Sequence, residues 1–170
     1  MGIAGFLGVG ISALLALAPE AASAGRLTTL SADFQPGSII ISQSARKLYL
    51  VLDRGTAIAY PVAVAKRGME WRGTARIAGK YVEPAWSPPD SVKHDHPGLP
   101  DVIPGGAPSN PMGARAITLD RAEIAIHGTT RAMRASIGTA ASYGCIRMLN
   151  EDVIDLYDRV SVGAPVVMKP

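Results

Sequence analysis

Three short runs in the first third of the chain alternate or concentrate apolar residues in the way strands do. Ser38-Ile39-Ile40-Ile41-Ser42 is β-branched, and Lys47-Leu48-Tyr49-Leu50-Val51-Leu52 follows after a polar break. Residues 56–65 return after Asp53-Arg54-Gly55, whose composition suits a hairpin turn. The pattern predicts an antiparallel meander, with Pro61 placing its third strand at an edge or a bulge. Residues 25–37 carry no period and read as an irregular lead-in. Further on, residues 75–82, 114–119 and 123–126 alternate, the last two around Asp120-Arg121, and 144–148 and 164–169 are short apolar runs. Only one stretch has a helical period. Asn150 suits an N-cap, and Glu151 and Asp152 suit the positive end of a helix dipole. Val153, Ile154, Tyr157 and Val160 share one face and Gly163 lies beyond, which predicts a helix over about 151–160. The fold is expected to be mainly β.

Residues 66–111 break the pattern. Pro84, Pro88-Pro89, Pro97-Gly98, Pro100, Pro104-Gly105-Gly106, Pro108 and Asn110-Pro111 leave nearly thirty residues without a usable period. A loop that long in a compact domain is functional or disordered. The prolines limit its conformations, so it is expected to pack over a site as one ordered Pro-rich loop, with Trp86 as its anchor. His94-Asp95-His96 lacks a third strong ligand nearby and reads as solvated loop rather than a metal site.

Composition sharpens the class. The 170 residues are 48% hydrophobic, with 18 Gly and 13 Pro, which fits one turn-rich domain over residues 38–170. Residues 3–18 carry no charge, and Ala22-Ser23-Ala24 then offers small residues at both positions a signal peptidase reads. Residues 1–24 are therefore expected to be a signal peptide cleaved after Ala24. Its removal takes away one acid, Glu20, and no base, so the net charge goes from +3 to +4. The basic residues are spread rather than striped and two Trp and two Phe make no stacking platform, so nucleic acid is not an expected partner.

Candidate chemistry centres on Cys145, the single cysteine, in Ser142-Tyr143-Gly144-Cys145-Ile146-Arg147-Met148. Read alone, it is as well explained as a small buried hydrophobe. His127, eighteen residues upstream at the end of a predicted strand and followed by Gly128, could be its general base or simply a hydrogen-bonded strand-end histidine. No acid follows His127 closely, so the Gly128 carbonyl is expected to orient the imidazole. The backbone N–H groups of Tyr143, Gly144 and Cys145 are candidate oxyanion donors. Arg147 lies two residues beyond the thiol, on the same strand face. It could hold a substrate carboxylate or lower the thiol pKa, or be an ordinary surface arginine. Asn150 reads as the helix cap rather than a ligand.

Taken in order, Ile126-His127-Gly128-Thr129, Ile137-Gly138, Ser142-x-Gly144-Cys145-Ile146-Arg147-Met148-x-Asn150, Asp152, Leu156-Tyr157, Val160 and Gly163-x-Pro165-Val166 resemble the L,D-transpeptidase (YkuD-type) catalytic domain. Leu48-Tyr49-Leu50, Tyr60-Pro61-Val62, Pro84-x-Trp86-x-Pro88-Pro89 and Asn110-Pro111-Met112-Gly113 extend the likeness over roughly residues 38–168. Two words depart from the family. Tyr143 stands where a histidine is usual, and Glu70-Trp71-Arg72-Gly73-Thr74 replaces Thr-Pro-x-Gly.

The resemblance implies a β-sandwich-like domain, exported to the periplasm or cell wall and acting on peptidoglycan stem peptides. Cys145 would attack a tetrapeptide stem, release its terminal D-amino acid and pass the acyl group to an amine on another stem or on an outer-membrane protein. Tyr143, Arg147 and Trp86 would bind substrate. No cofactor or metal is implied, and a monomer is expected. The alternatives are an L,D-carboxypeptidase or wall-protein-releasing hydrolase using the same cysteine, and a non-catalytic peptidoglycan-binding domain. A general cysteine peptidase is less favoured, because the usual third polar partner is not apparent.

Overall fold

A computed structural model describes residues 25–170; the expected signal peptide lies outside the described residues. Eleven strands and two α-helices follow in the order β1 (Arg26–Thr29), β2 (Ile39–Ser42), β3 (Lys47–Asp53), β4 (Thr56–Pro61), β5 (Val64–Ala65), β6 (Gly73–Val82), α1 (Asp90–Asp95), β7 (Arg115–Leu119), β8 (Ala125–His127), β9 (Ala140–Ser142), β10 (Ile146–Arg147), α2 (Asn150–Arg159) and β11 (Pro165–Lys169). Nine strands form one sheet in the order β1-β4-β3-β2-β11-β6-β7-β8-β10. The predicted meander is present as the antiparallel β2-β3-β4. Its first two strands lie within a residue of the expected bounds, whereas the third ends at Pro61 and Val64–Ala65 leaves it to pair with β9.

The ten-residue β6 makes the sheet double over. Gly73–Arg76 pairs with β11, the register then shifts between Ile77 and Gly79, and the rest pairs with β7. One strand thus belongs to two half-sheets, the geometry of a sandwich with a shared edge. Side chains from both halves meet in a single core. Ile39, Ile41, Leu48 and Leu50 come from one side and Ile117, Ile126, Ile146 and Met148 from the other. The all-buried Ile39-Ile40-Ile41 follows from its place between β3 and β11, with no face left to solvent. The apolar face of α2, Val153 and Leu156, closes the same core.

Two expectations change. Residues 25–37 are not wholly irregular: β1 pairs with β4 along four residues, so the strand ending in Pro61 is not the sheet edge. β1 escaped notice because it is an exposed edge strand whose only large apolar residue, Leu27, faces solvent. Likewise the Pro-rich stretch is not one featureless loop. It contains α1, an antiparallel bridge between Trp86 and Ile103, and a knot around Asn110, whose Nδ2 donates to the carbonyls of Pro84 and Pro104, both at 2.9 Å.

Candidate active site

β8 and β10 run parallel, and their register sets Ile146 beside Ile126 and Arg147 beside His127. Neighbours in register on adjacent strands point to the same face. The imidazole and the guanidinium therefore sit side by side, 3% and 9% exposed. Cys145 stands just before β10 rather than within a strand over 144–148 as expected, because only Ile146 and Arg147 find a ladder partner. Gly144 adopts φ +125°, a turn few other residues tolerate, and brings the thiol round to the cavity. That cavity, about 880 Å³, is lined by Cys145, His127, Arg147, Tyr143 and Trp86, so all five expected side chains reach one space.

The buried histidine is neutral. Its Nδ1 lies 2.8 Å from the Gly128 carbonyl, the expected orienting group. A carbonyl only accepts, so Nδ1 carries the proton and Nε2 is the basic nitrogen. Burial, and then the Arg147 charge, hold the imidazole down to about 4, against a weaker upward pull from the Gly128 and Pro111 carbonyls. Burial raises the Cys145 thiol, with Glu123 adding to it, while the Ala125 N–H and Arg147 oppose it. The resting pair is thus thiol and imidazole rather than thiolate and imidazolium. The thiol donates to the Glu123 carbonyl at 3.3 Å instead of meeting His127. Glu123 holds φ +60°, unusual for a non-glycine residue, and this turns its carbonyl onto the sulfur.

Arg147 has no carboxylate partner among the described residues. One Nη donates to Ser136 Oγ at 2.7 Å, and Nε, fully buried, has no partner. A buried guanidinium with donors to spare beside a cavity is equipped to receive a carboxylate.

Tyr143 has a role that its residue type did not announce. Its hydroxyl donates to Asp95 at the end of α1, its ring carries Lys66 Nζ 3.6 Å from the centroid, and Lys66 also reaches Asp95 at 3.2 Å. The Tyr143 hydrogen bond, then those of His94 and Lys66, hold the Asp95 carboxyl well below the usual carboxylate range. The acidic residue of His94-Asp95-His96 is therefore a tie between the Pro-rich segment and the residue two before the thiol.

Three expectations need correction or addition. The N-cap of α2 is Leu149, without a side-chain cap bond. Asn150 is used elsewhere: its Oδ1 accepts from the Ala114 and Thr129 N–H groups at 3.1 and 3.0 Å, and its Nδ2 donates to the Thr129 carbonyl at 3.0 Å. It pins the segment that follows His127-Gly128 to the start of β7. Of the three candidate oxyanion donors, Gly144 N–H is turned to Ser142 Oγ at 3.3 Å. Finally, Trp71, within the word that departs from the family pattern, donates through Nε1 to the Gly144 carbonyl at 3.1 Å and props the thiol turn. An asparagine and a tryptophan far away in sequence carry no spacing signal for such contacts.

Comparison with known proteins agrees with this arrangement. Residues 36–168 match the family described as YkuD, L,D-transpeptidase catalytic domain. The probable L,D-transpeptidase YbiS of Escherichia coli K12 is 33% identical over 138 residues, 76% of this chain and 43% of YbiS. The chain thus spans under half the length of this relative. A Brucella melitensis protein described as a probable carnitine operon oxidoreductase is 38% identical in its crystal structure, with a TM-score of 0.57 over 87% of this chain and 93% of that one. L,D-transpeptidase 3 of Mycobacterium tuberculosis, in complex with a faropenem-derived adduct, shares the fold. Its TM-score is 0.58 at 16% identity, over 78% of this chain and 60% of that one.

Proposed function

This chain belongs to the L,D-transpeptidase catalytic domain (YkuD) family, and on that premise we propose that it is a cysteine-dependent acyltransferase of the bacterial envelope acting on peptidoglycan stem peptides. One observation carries the reading: Cys145 and a neutral, carbonyl-oriented His127 open into the same cavity.

A tetrapeptide stem entering that cavity presents its terminal carboxylate to Arg147. The thiol leaves the Glu123 carbonyl and its sulfur attacks the peptide carbonyl, while His127 Nε2 takes the thiol proton. With the Gly144 N–H turned to Ser142 Oγ, the Tyr143 and Cys145 N–H groups are left to receive the developing oxyanion; a pre-organised donor of this kind contributes about 3 kcal/mol. Collapse of the intermediate breaks the C–N bond, and the imidazolium returns its proton to the departing D-amino acid. A thioester on Cys145 remains. An amine of a second stem, or another envelope acceptor, attacks that thioester with His127 again as base. Water in place of the amine would make the protein a carboxypeptidase.

The reaction class in the Brucella protein's name is not carried over, because a nucleophile and a base sharing one cavity are acyl-transfer equipment. The test is intact-mass analysis after exposure to a penem or carbapenem, followed by incubation with tetrapeptide muropeptides. A stoichiometric adduct that disappears in Cys145→Ala, and cross-linked dimers from muropeptides, are expected. Tripeptide monomers alone would reassign it as a hydrolase; no adduct and no turnover would leave a wall-binding domain.

A further inference from the structure

Asp152 is a buried carboxylate, 3% exposed, on the first turn of α2, and the acyl-transfer site makes no use of it. The cations near it are taken. Arg134 holds Glu151 through both of its Nη atoms, at 3.0 and 2.7 Å, and Arg159 holds Asp155 at 2.8 Å. No ion pair joins Asp152 to any of the described residues' side chains. What reaches it is a backbone N–H, that of Gly25.

Gly25 occupies a fitted seat. It has φ +68°, and a Cβ there would lie 2.3 Å from Ile58 Cγ2 and 2.7 Å from Tyr60 Cε1. Pairing of Arg26 with Ala59 fixes the residue that follows, and Tyr60, the seat's wall, donates to Asp155 at 2.6 Å. The seat is thus tied to the middle of α2 through Tyr60. Gly25 is also the residue directly after Ala22-Ser23-Ala24, the small-residue word of a signal-peptidase site.

We infer that cleavage of the Ala24–Gly25 bond turns the Gly25 nitrogen into an α-ammonium that becomes the counter-ion of Asp152, so that maturation locks the new N-terminus onto the start of α2. A signal peptidase adds water across the peptide bond: the acyl carbon leaves as the Ala24 carboxylate, and the freed Gly25 amine takes up a proton. Nothing has to move, since the nitrogen that donated as an amide now donates as a cation. Before cleavage the donor that reaches the carboxylate among the described residues is a neutral amide; burial, then Glu151, raise the group to about 6 against the weaker pull of Gly25 and Arg134. A buried charge left without its partner is far costlier than one that is paired. The inference needs export but not the transpeptidase chemistry.

The full chain is expressed in an exporting bacterial host and the N-terminus of the secreted protein read by mass; Gly25 is expected first. Thermal unfolding is then compared for the free amine and for the amine acetylated, in the Asp152 protein and in Asp152→Asn. Blocking should lower Tm by about 5 °C or more with Asp152 present, and change little in Asp152→Asn. A mature protein starting elsewhere, equal Tm values for free and blocked forms, or the same loss in both backgrounds, each overturn the inference. Should Asp152→Asn not fold, the Gly25 amine is titrated in the unaltered protein by NMR after reductive methylation. It reaches Asp152, on which Glu151, Asp155 and Arg134 also act, with the Tyr60 hydroxyl and Arg159 held by Asp155. Its pKa should stand well above the ordinary α-amino value of about 7.7–8.0, and an ordinary value refutes the pairing. Acylation of Cys145, read separately, keeps a failure here distinct from a failure of the transpeptidase reading.

Discussion

The floor and the roof of the cavity are built by different kinds of force. On the floor, His127 and Arg147 are set by backbone register between β8 and β10, and both side chains are buried. Overhead, the segment from Pro84 to Met112 is tied to the floor through Asp95, whose contacts with Tyr143 and Lys66 are exposed to solvent. Buried register contacts break only with the sheet, whereas exposed pairs contribute little and are screened by salt. The chemistry should therefore tolerate no change below, and substrate shape should be adjustable above.

The largest effects test the floor. Cys145→Ala should abolish adduct formation and turnover while leaving the circular dichroism spectrum and Tm near those of the parent. His127→Asn should cut the acylation rate by roughly a hundred- to ten-thousand-fold. Transfer surviving in Cys145→Ala would move the chemistry out of this cavity. Next comes Asn150, which joins β7, the Thr129 segment and α2 beneath His127. Asn150→Ala leaves two N–H groups and a carbonyl without their partner, each worth about 1–3 kcal/mol when buried. Tm should fall by roughly 5–15 °C and acylation should slow with it. Asn150→Asp keeps the acceptor and loses only the donor, so it should recover part of the loss; no recovery would mean that packing, not hydrogen bonding, is the role.

A smaller effect probes the electrostatics of the same floor. The reaction needs His127 neutral, and a group whose pKa is depressed to about 4 stays neutral down to that pH. The acid limb of the acylation rate should therefore fall near pH 4, with most of the rate kept at pH 5, where an ordinary histidine of pKa about 6.5 would be nearly all protonated. Arg147→Met removes the second cause of the depression and leaves the first, burial. The limb should move up, but not as far as 6.5. A limb already at 6.5 in the parent would mean that substrate entry rewets the imidazole.

How much was legible beforehand follows the same division. His127, Gly128, Cys145 and Arg147 stood out through the family resemblance, since read alone Cys145, His127 and Arg147 each kept a structural alternative; strand order accounts only for His127 and Arg147 lying side by side. The α2 bounds came out within one residue, since a 3.6-residue period with acids at its start is a local signal. Asn150 and Trp71 were misread or passed over because their partners lie 21 to 73 residues away and no local rule anticipates them. β1 was missed for want of a buried face. α1 was hidden by the prolines around it, and in the described structure none of its residues is buried. A helix with no apolar stripe leaves nothing for a periodicity to detect.

Tyr143 carries the exposed tie between floor and roof, so it decides whether the comparison holds. Tyr143→Phe deletes the hydroxyl that reaches Asp95 while keeping the ring under Lys66. Lys66 still pairs with Asp95, so the tie is loosened rather than cut. If the roof only shapes substrate entry, KM for a tetrapeptide stem should rise by about threefold or less, kcat should stay within error, and 0.5 M salt should reproduce much of the change in the parent. A small acylating probe, which needs little of the roof, should react at the parental rate. A kcat loss approaching that of His127→Asn would show that the Tyr143–Asp95 tie sets the turn at Gly144 and hence the position of the thiol. The roof would then be part of the catalytic floor, and the division drawn here would fail.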